Sequence, residues 1–355
     1  MRYESLSFLK RIIAAASPSG SEEQVAQLYR DYVGPFADEV RTDLHGNVTA
    51  ALNPTASAKI MLAGHMDEIG FIIHHIADDG LLYFNAIGGH DSAVPVGQLV
   101  WVYGRERITG VIGRKAPHLL GPEEAGSKPK LGELWIDIGA ASRDEAEEVV
   151  EVGDLATYQY EFRPLLGDRA AARGFDNKAG LFIVAEALRH LKEEGGLHED
   201  VGVFAVGTVQ EEIGSRGAWT AAAALGARTG IAVDMEHAID LPGLSQTQFG
   251  KLDMGKGPSI SRGANTNPVV FRLLRKAAIE AGLPFQVRVA PGTTPTDAKA
   301  MQISGHGMAT GLVGIPLRYM HTPSEVLSLS DVGNCSRLVA AYCRQIQPDT
   351  DFTPR

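Results

Sequence analysis

The chain has 355 residues, enough for one large domain or two of ordinary size, and 44% apolar content is sufficient for sizeable cores. A formal charge of −10 excludes the Lys- and Arg-rich surface with which nucleic-acid binders displace counterions, and no apolar run is long enough to cross a bilayer as a helix. Neither nucleic acid nor membrane is an expected partner.

In chain order, Met1-Arg2-Tyr3-Glu4 lacks the basic-then-apolar pattern of a signal peptide, which predicts a cytoplasmic location. Leu6, Leu9, Ile12 and Ile13 recur at helical spacing, and that helix should stop before Ser17-Pro18-Ser19-Gly20. Ser19 and Glu22 predict a capping box for a second helix running to about Val33. Segments 47–52 and 59–64 predict strands, the second apolar enough to be buried on both faces of a sheet. After Glu68 the texture changes. Short β-type runs at 70–76, 81–86, 99–103, 108–112 and 134–138 are separated by Gly, Pro and Asp turns, with an acidic helix near 143–150, a pattern that predicts a small β-barrel or sandwich. Within it, 115–130 carries three prolines and little periodicity, which predicts a mobile loop.

Helices and apolar strands then return: a helix over 177–191, a strand over 201–209, a helix over 217–224, a strand over 230–234 and a helix over 267–281. Strands over 285–289 and 308–315 precede a closing helix over 331–345. Cys335 and Cys343 lie eight residues apart on that helix, ~12 Å of rise and beyond the ~7 Å reach of a disulfide, so both are expected as buried thiols. The simplest assembly is an α/β domain built from 1–68 and 165–355, with a β domain, 69–164, inserted between its halves.

Five acid- and histidine-bearing segments fall at strand ends or in turns: His65-Met66-Asp67-Glu68, Asp176-Asn177, Glu211-Glu212, Val233-Asp234 and Met320-His321-Thr322-Pro323. Ligands of open α/β sheets gather beyond the carboxyl ends of strands, so these segments can converge although far apart in sequence. In His65-x-Asp67 the two side chains point the same way from extended backbone, which lets a carboxylate fix the imidazole tautomer. Asp176 taken alone reads first as a helix cap, and Glu211-Glu212 equally as a solvated strand end. Their conjunction supplies imidazoles and carboxylates enough for two divalent ions around one shared carboxylate.

The same segments, with Gly88-Gly89-His90-Asp91, Gly110-Val111-Ile112-Gly113, Phe175 to Gly180, Thr296-Asp297-Ala298 and Arg318 to Pro323, carry a resemblance over nearly the whole length. The chain resembles the dinuclear metallo-aminopeptidases of the tetrahedral aminopeptidase family, relatives of glutamyl and deblocking aminopeptidases in clan MH. The resemblance implies a mixed-sheet α/β metallopeptidase domain whose inserted β-barrel-like domain mediates dimer contacts, with dimers assembling into a tetrahedral dodecamer that admits short peptides. It also implies two divalent ions per subunit, zinc first and cobalt or manganese as alternatives. His65 and Asp234 would bind one ion, Glu212 and His321 the other, and Asp176 both. Glu211 would be the general base, Asp67 the partner of His65, and the peptide bond after Asp176 cis. Glu236, Lys178 and Pro295 stand where a small hydroxyl residue, arginine and glycine are usual, departures that bear on substrate preference.

The implied activity is metal-dependent release of N-terminal residues from short peptides by attack of activated water. A related amidohydrolase or carboxypeptidase is the alternative, one that would tolerate a blocked amine. A glycosidase would need carboxyls about 5–9.5 Å apart flanking a sugar, usually on separate segments, unlike Glu211-Glu212. A non-enzymatic scaffold is disfavoured by the full set of ligands plus a base. His74 and His75 are expected on opposite faces of one strand. They, His90, His118, His190, His198 and His237 receive no role.

Overall fold

The computed structural model describes residues 1–119 and 127–355. Residues 120–126, the middle of the predicted loop over 115–130, lie outside the described residues. The strands in chain order begin with β1 (Glu39–Thr42), β2 (Val48–Leu52) and β3 (Ala58–His65). A second group follows: β4 (Gly70–Ile76), β5 (Leu82–Ile87), β6 (Leu99–Tyr103), β7 (Arg107–Gly113), β8 (Trp135–Asp137) and β9 (Leu155–Tyr158). The rest are β10 (Arg163–Pro164), β11 (Arg169–Ala172), β12 (Val201–Thr208), β13 (Thr229–His237), β14 (Ser259–Gly263), β15 (Gln286–Ala290), β16 (Ala309–Leu317) and β17 (Glu325–Ser328).

The fold is mixed α/β. An eight-stranded sheet runs β1-β2-β12-β3-β13-β16-β14-β15, and its central strands β12, β3, β13 and β16 are mutually parallel. Side-chain alternation along β3 explains the layers on either side. Ile60 and Leu62 join a core shared with the helices Tyr3–Ala14, Phe175–Glu194 and Leu329–Gln345. Met61 and Ala63 face the opposite way, onto Ala218 and Ala222 of the helix Arg216–Leu225 and Met301 of the helix Asp297–Ile303. Each such Leu or Ile contributes about 1.5–3 kcal/mol by leaving water, so the sheet is held from both sides. Cys335 and Cys343 are free and buried in the first of these layers.

The strands from β4 to β9 close into a barrel in the order β4-β5-β8-β7-β6-β9, so the barrel rather than the sandwich is realised. Phe71, Phe84, Val100, Ile112 and Ile136 fill it, and closure leaves no unpaired sheet edge. One expectation fails here. The pairing of β4 with β5 shifts register between Ile73 and His75, and His74 and His75 are both exposed instead of facing opposite ways, because the extra residue of a bulge interrupts the two-residue period.

The capping box also fails. The second helix, Glu23–Val33, has no side-chain cap bond at its start. The Ser19 hydroxyl instead donates to Asp67 Oδ2 at 2.6 Å, and Glu22 Oε1 accepts the N–H groups of Gly20 and Gln210. A hydroxyl bond to a buried carboxylate is charge-assisted and roughly twice as strong as a neutral one, so Asp67 wins the competition for Ser19. A three-stranded sheet, β10-β11-β17, completes the fold. Its register sets Ala172 opposite Glu325, which carries a carboxylate from near the chain end to the start of the helix Phe175–Glu194.

Candidate metal centre and active site

Parallel strands deliver most of the candidate residues to one place. His65 ends β3 and pairs in register with Thr208, the last residue of β12, after which come Glu211 and Glu212. Asp234 lies in β13, the other neighbour of β3. Asp176 and Asn177 interrupt the first turn of the helix Phe175–Glu194 with non-helical torsions, and the peptide bond between them is cis. Asp176 therefore does not cap that helix. Asn177 is fixed by its amide donating to the Val233 carbonyl at 2.8 Å and accepting the Gly180 N–H.

The carboxylate of Asp176 stands between two imidazoles. Its Oδ1 lies 3.4 Å from His65 Nε2 and its Oδ2 lies 3.4 Å from His321 Nε2. His65 Nε2 is also 3.9 Å from Asp234 Oδ1 and from Glu211 Oε2, and His321 Nε2 is 3.4 Å from Glu212 Oε1. Two donor groups result, His65-Asp176-Asp234 and Asp176-Glu212-His321, in each of which one ligand atom per residue lies within 4.8 Å of the others. Asp176 belongs to both.

Around these groups a shell of bonds fixes the geometry. Asp67 lies with Oδ1 3.3 Å from His65 Nδ1 and accepts the N–H of Glu211 on Oδ1 and that of Glu212 on Oδ2, at 2.9 and 3.0 Å. The Ser19 hydroxyl is the carboxylate's third hydrogen-bond donor. His65 Nδ1 lies closer still, at 3.1 Å, to the Asp67 backbone carbonyl, so Asp67 orients the imidazole with its main chain, its carboxylate charge alongside, and anchors the Glu211-Glu212 loop. That loop is flanked by left-handed residues, Gln210 at φ 58° and Ser215 at φ 53°, a conformation that surrounding bonds must hold. Ser215 also donates its hydroxyl to Glu211 Oε1 at 2.8 Å.

Glu325 plays the same part on the other side. Its carboxylate accepts the Asp176 N–H at 3.0 Å and the N–H of His321, another left-handed residue at φ 60°, at 2.9 Å. Asp297, 2% exposed, accepts the Thr208 hydroxyl at 2.5 Å on Oδ2, while its Oδ1 has no hydrogen-bond partner. Reading the sequence found His65, Asp67, Asp176, Glu211, Glu212, Asp234 and His321, and all seven come together here. It missed Ser215 and Glu325 and gave Ser19 a capping role instead; the partners of Ser19 and Glu325 lie 48 and 149 residues away, whereas Ser215 reaches Glu211 only four residues back, across the turn. Lys178 is held in a buried ion pair: its ammonium donates to Glu68 Oε1 and to the Ala15 carbonyl, both at 2.7 Å, and Arg173 pairs with the same Glu68.

Electrostatics make the cluster a cation trap. Burial, with Asp176 adding repulsion, pushes the Glu212 carboxyl up to about 7 and Asp234 well above the usual carboxylate range. Burial also raises Glu211. Asp176 goes the other way: burial opposes its ionisation, but His321 and His65 hold it below its ordinary value. For His321 burial is outweighed by Asp176 and Glu212, which push the imidazole up to about 11. Crowded buried carboxylates cost desolvation and mutual repulsion unless a cation compensates. The residues fit such a cation. Glu212 Oε1 is buried without a hydrogen bond, and the donors are imidazole nitrogens and carboxylate oxygens, a set suited to zinc, cobalt or manganese.

A cavity of about 610 Å³ opens onto this cluster, lined by Asp176, Glu211, Glu212, Asp234 and His321 and, further along, by Glu236, Arg288 and Lys299. The profile of the M42 glutamyl aminopeptidases matches residues 46–338. Over 353 residues the chain is 36% identical to the lysyl aminopeptidase of Pyrococcus furiosus, with 98% of each chain covered. Among solved structures it superposes on the TET aminopeptidase of a marine sediment thaumarchaeon with a TM-score of 0.92 at 34% identity, covering 97% of this chain and 96% of that one. The Pyrococcus horikoshii TET1 peptidase, described as assembling into a tetrahedron or a large octahedral shell, gives 0.83 at 31% identity over 95% of this chain and 98% of that one.

Proposed function

The chain belongs to the M42 glutamyl aminopeptidase family and is a peptide hydrolase of the aminopeptidase class, and from that premise we propose that it is a dinuclear metal enzyme releasing N-terminal residues from short peptides. The observation that carries this reading is Asp176, whose two oxygens face two separate donor groups. His65, Asp176 and Asp234 would hold one divalent cation, and Asp176, Glu212 and His321 the other. Zinc is the first expectation, with cobalt or manganese able to substitute. When bound, two such ions supply Lewis acidity toward the scissile carbonyl and lower the pKa of water.

The chain supplies the rest. Glu211 stands outside both donor groups with Oε1 held by Ser215, and it takes the proton of the attacking water and returns it to the leaving amine. Asp67 keeps the His65 imidazole oriented and the Glu211 backbone in place, and Glu325 does so for Asp176 and His321. A free α-amine is charge-complementary to this carboxylate-rich end of the cavity, which selects N-terminal residues.

We further read 69–164 as an inserted dimerisation domain between catalytic parts 1–68 and 165–355, with dimers building a tetrahedral dodecamer. The dodecamer and the tetrahedron described for TET1 relatives support the last of these steps. We keep the cytoplasm as the expected location; no helix among the described residues is long and apolar enough to cross a membrane.

Stripping the protein with a chelator and restoring zinc or cobalt tests the function. Hydrolysis of free-amine peptides should vanish and return with metal, while N-acetylated twins stay intact. Equal cleavage of the blocked peptides would favour the amidohydrolase or carboxypeptidase reading. No cleavage by metal-loaded protein would favour a scaffold.

A further inference from the structure

Beside the candidate metal centre lies a second buried charge cluster that the chemistry above does not use. Glu68, 2% exposed, follows the segment His65 to Asp67 and stands against two buried cations. Its Oε1 accepts the Lys178 ammonium at 2.7 Å and the Ser17 N–H at 3.0 Å, and its Oε2 pairs with Arg173. The two cations flank Asp176 in the chain, three residues before it and two after. Between them Gly174, at φ 64°, closes on the same carboxylate: a Cβ there would stand 2.8 Å from Glu68 Oε2.

The cluster adjoins the candidate ligands. A cavity of about 10 Å³ is lined both by Glu68 and Arg173 and by Asp176, Glu212, His321 and Glu325, and it is too small for more than about one water molecule. Two cations therefore share one close anion where solvent screens little. Arg173 is attracted by Glu161 as well, and Lys178 by Glu325. Glu325 is already committed. Its carboxylate accepts the N–H of Asp176 and that of His321, and Asp176 belongs to both donor groups. A buried ammonium that loses its first anion turns to the next within reach, because an unpaired buried charge is costly. A Glu325 carboxylate drawn toward Lys178 would release the two N–H groups, and with them Asp176 and His321.

We propose that Glu68 is a positioning residue of the metal centre: by holding the Lys178 ammonium it keeps that cation off Glu325, and so keeps the Glu325 clamp on Asp176 and His321. Glu68 acts through Lys178 and Glu325 and is no ligand itself. The inference rests on the dinuclear reading, and it adds the charge balance on which the shared carboxylate depends.

The test measures zinc affinity of the full-length protein by competition with a metal-binding dye, per folded chain as judged by circular dichroism. Glu68→Gln keeps the shape and removes the charge. Affinity for both ions should fall together by about 10–100-fold, because the released Asp176 serves both donor groups. Glu68→Gln with Lys178→Met also removes the unpaired ammonium and should recover most of that loss, the non-additivity of residues in one ion-pair network. Glu186→Gln, which breaks a buried ion pair with Arg189 away from the site, should leave zinc affinity unchanged.

The proposal is overturned by unchanged affinity in Glu68→Gln, by loss of one ion alone, by a double variant that fails to fold or to regain zinc, or by an equal loss in Glu186→Gln. Where Glu68→Gln does not fold, the double variant decides, and affinity within about 3-fold of wild type supports the charge role. A wild type that binds fewer than two ions would refute the dinuclear reading itself, a result seen before any variant is compared, and would take this inference with it.

Discussion

Replacing Glu211 with Gln separates the proposed base from the proposed ligands. The change is nearly isosteric and leaves three features in place. Glu211 belongs to neither donor group, its backbone N–H still reaches Asp67, and a Gln side-chain oxygen can still accept the Ser215 hydroxyl that now reaches Oε1. What disappears is a proton acceptor. Positioned general acid–base catalysis contributes about 10²–10⁴-fold, which at 1.36 kcal/mol per factor of ten is roughly 3–5 kcal/mol of barrier. The substitution also removes one negative group from beside Asp234, whose carboxyl is already driven up by burial and by neighbouring carboxylates that include Glu211. Repulsion therefore falls, and the melting temperature should hold or rise. The assay is metal content per chain by mass spectrometry after dialysis against zinc, alongside kcat/KM on one free-amine peptide. The expected result is two ions per chain with activity down by at least 10²-fold. A fall in bound metal would make Glu211 a ligand, and a loss below about 10-fold would show that the base lies elsewhere.

Asp176→Ala should behave in the opposite way, because it removes the one carboxylate common to both donor groups: bound metal should drop below one ion per chain and activity should disappear, and retention of both ions would refute the bridging role. Asp67→Asn keeps the shape but removes the charge behind His65, so metal affinity or kcat/KM should fall about 10–100-fold, as titration against a zinc indicator would show. Away from the site, Glu186, 4% exposed, accepts bonds from Ser5 and Tyr32 and pairs with Arg189. Burial opposes its ionisation, but Arg189 and Tyr32 hold its carboxyl below the ordinary 4.5. Because the folded pKa is depressed, the stabilisation is complete above pH 4.5 and is lost as pH falls through the folded value. Glu186→Gln leaves Arg189 its pair with Glu193 and should cost about 1.5–3 kcal/mol at pH 7, the worth of a hydrogen bond to a charged group, and the gap between variant and wild-type melting curves should narrow as pH drops below 4.5; a gap independent of pH would refute the assignment. Sedimentation should show a particle of twelve 37.9 kDa chains, and a species no larger than a dimer would count against the tetrahedral assembly.

Much of the fold was legible because its signals are local. The apolar run before His65 declares a strand buried on both faces, and the short β runs after Glu68 declare a barrel or sandwich, since period and turn chemistry are read within a few residues. The candidate ligands were legible only together: each imidazole or carboxylate alone reads as a turn, a helix cap or a solvated strand end, and it is their recurrence at the ends of apolar strands that points to one site. The short strands β1, β9, β10, β11, β14 and β17 escaped, being two to five residues long and without a periodic signal. The outward pair His74 and His75 escaped because a bulge depends on the partner strand.

The amino-acid sequence by itself determined the class of fold, the order of its elements and the chemical types gathered at the site. Tertiary structure alone decided how those types are used. Ser19 serves Asp67 and not a helix cap, Glu325 clamps Asp176 from 149 residues away, and Glu236 is neutralised by Arg288 from a strand 52 residues further on. Each of these residues is chemically ordinary in its own neighbourhood. Its role follows from a charge or an N–H group that only the folded chain brings within 3 Å, where burial makes the choice of partner worth several times what it would be in water.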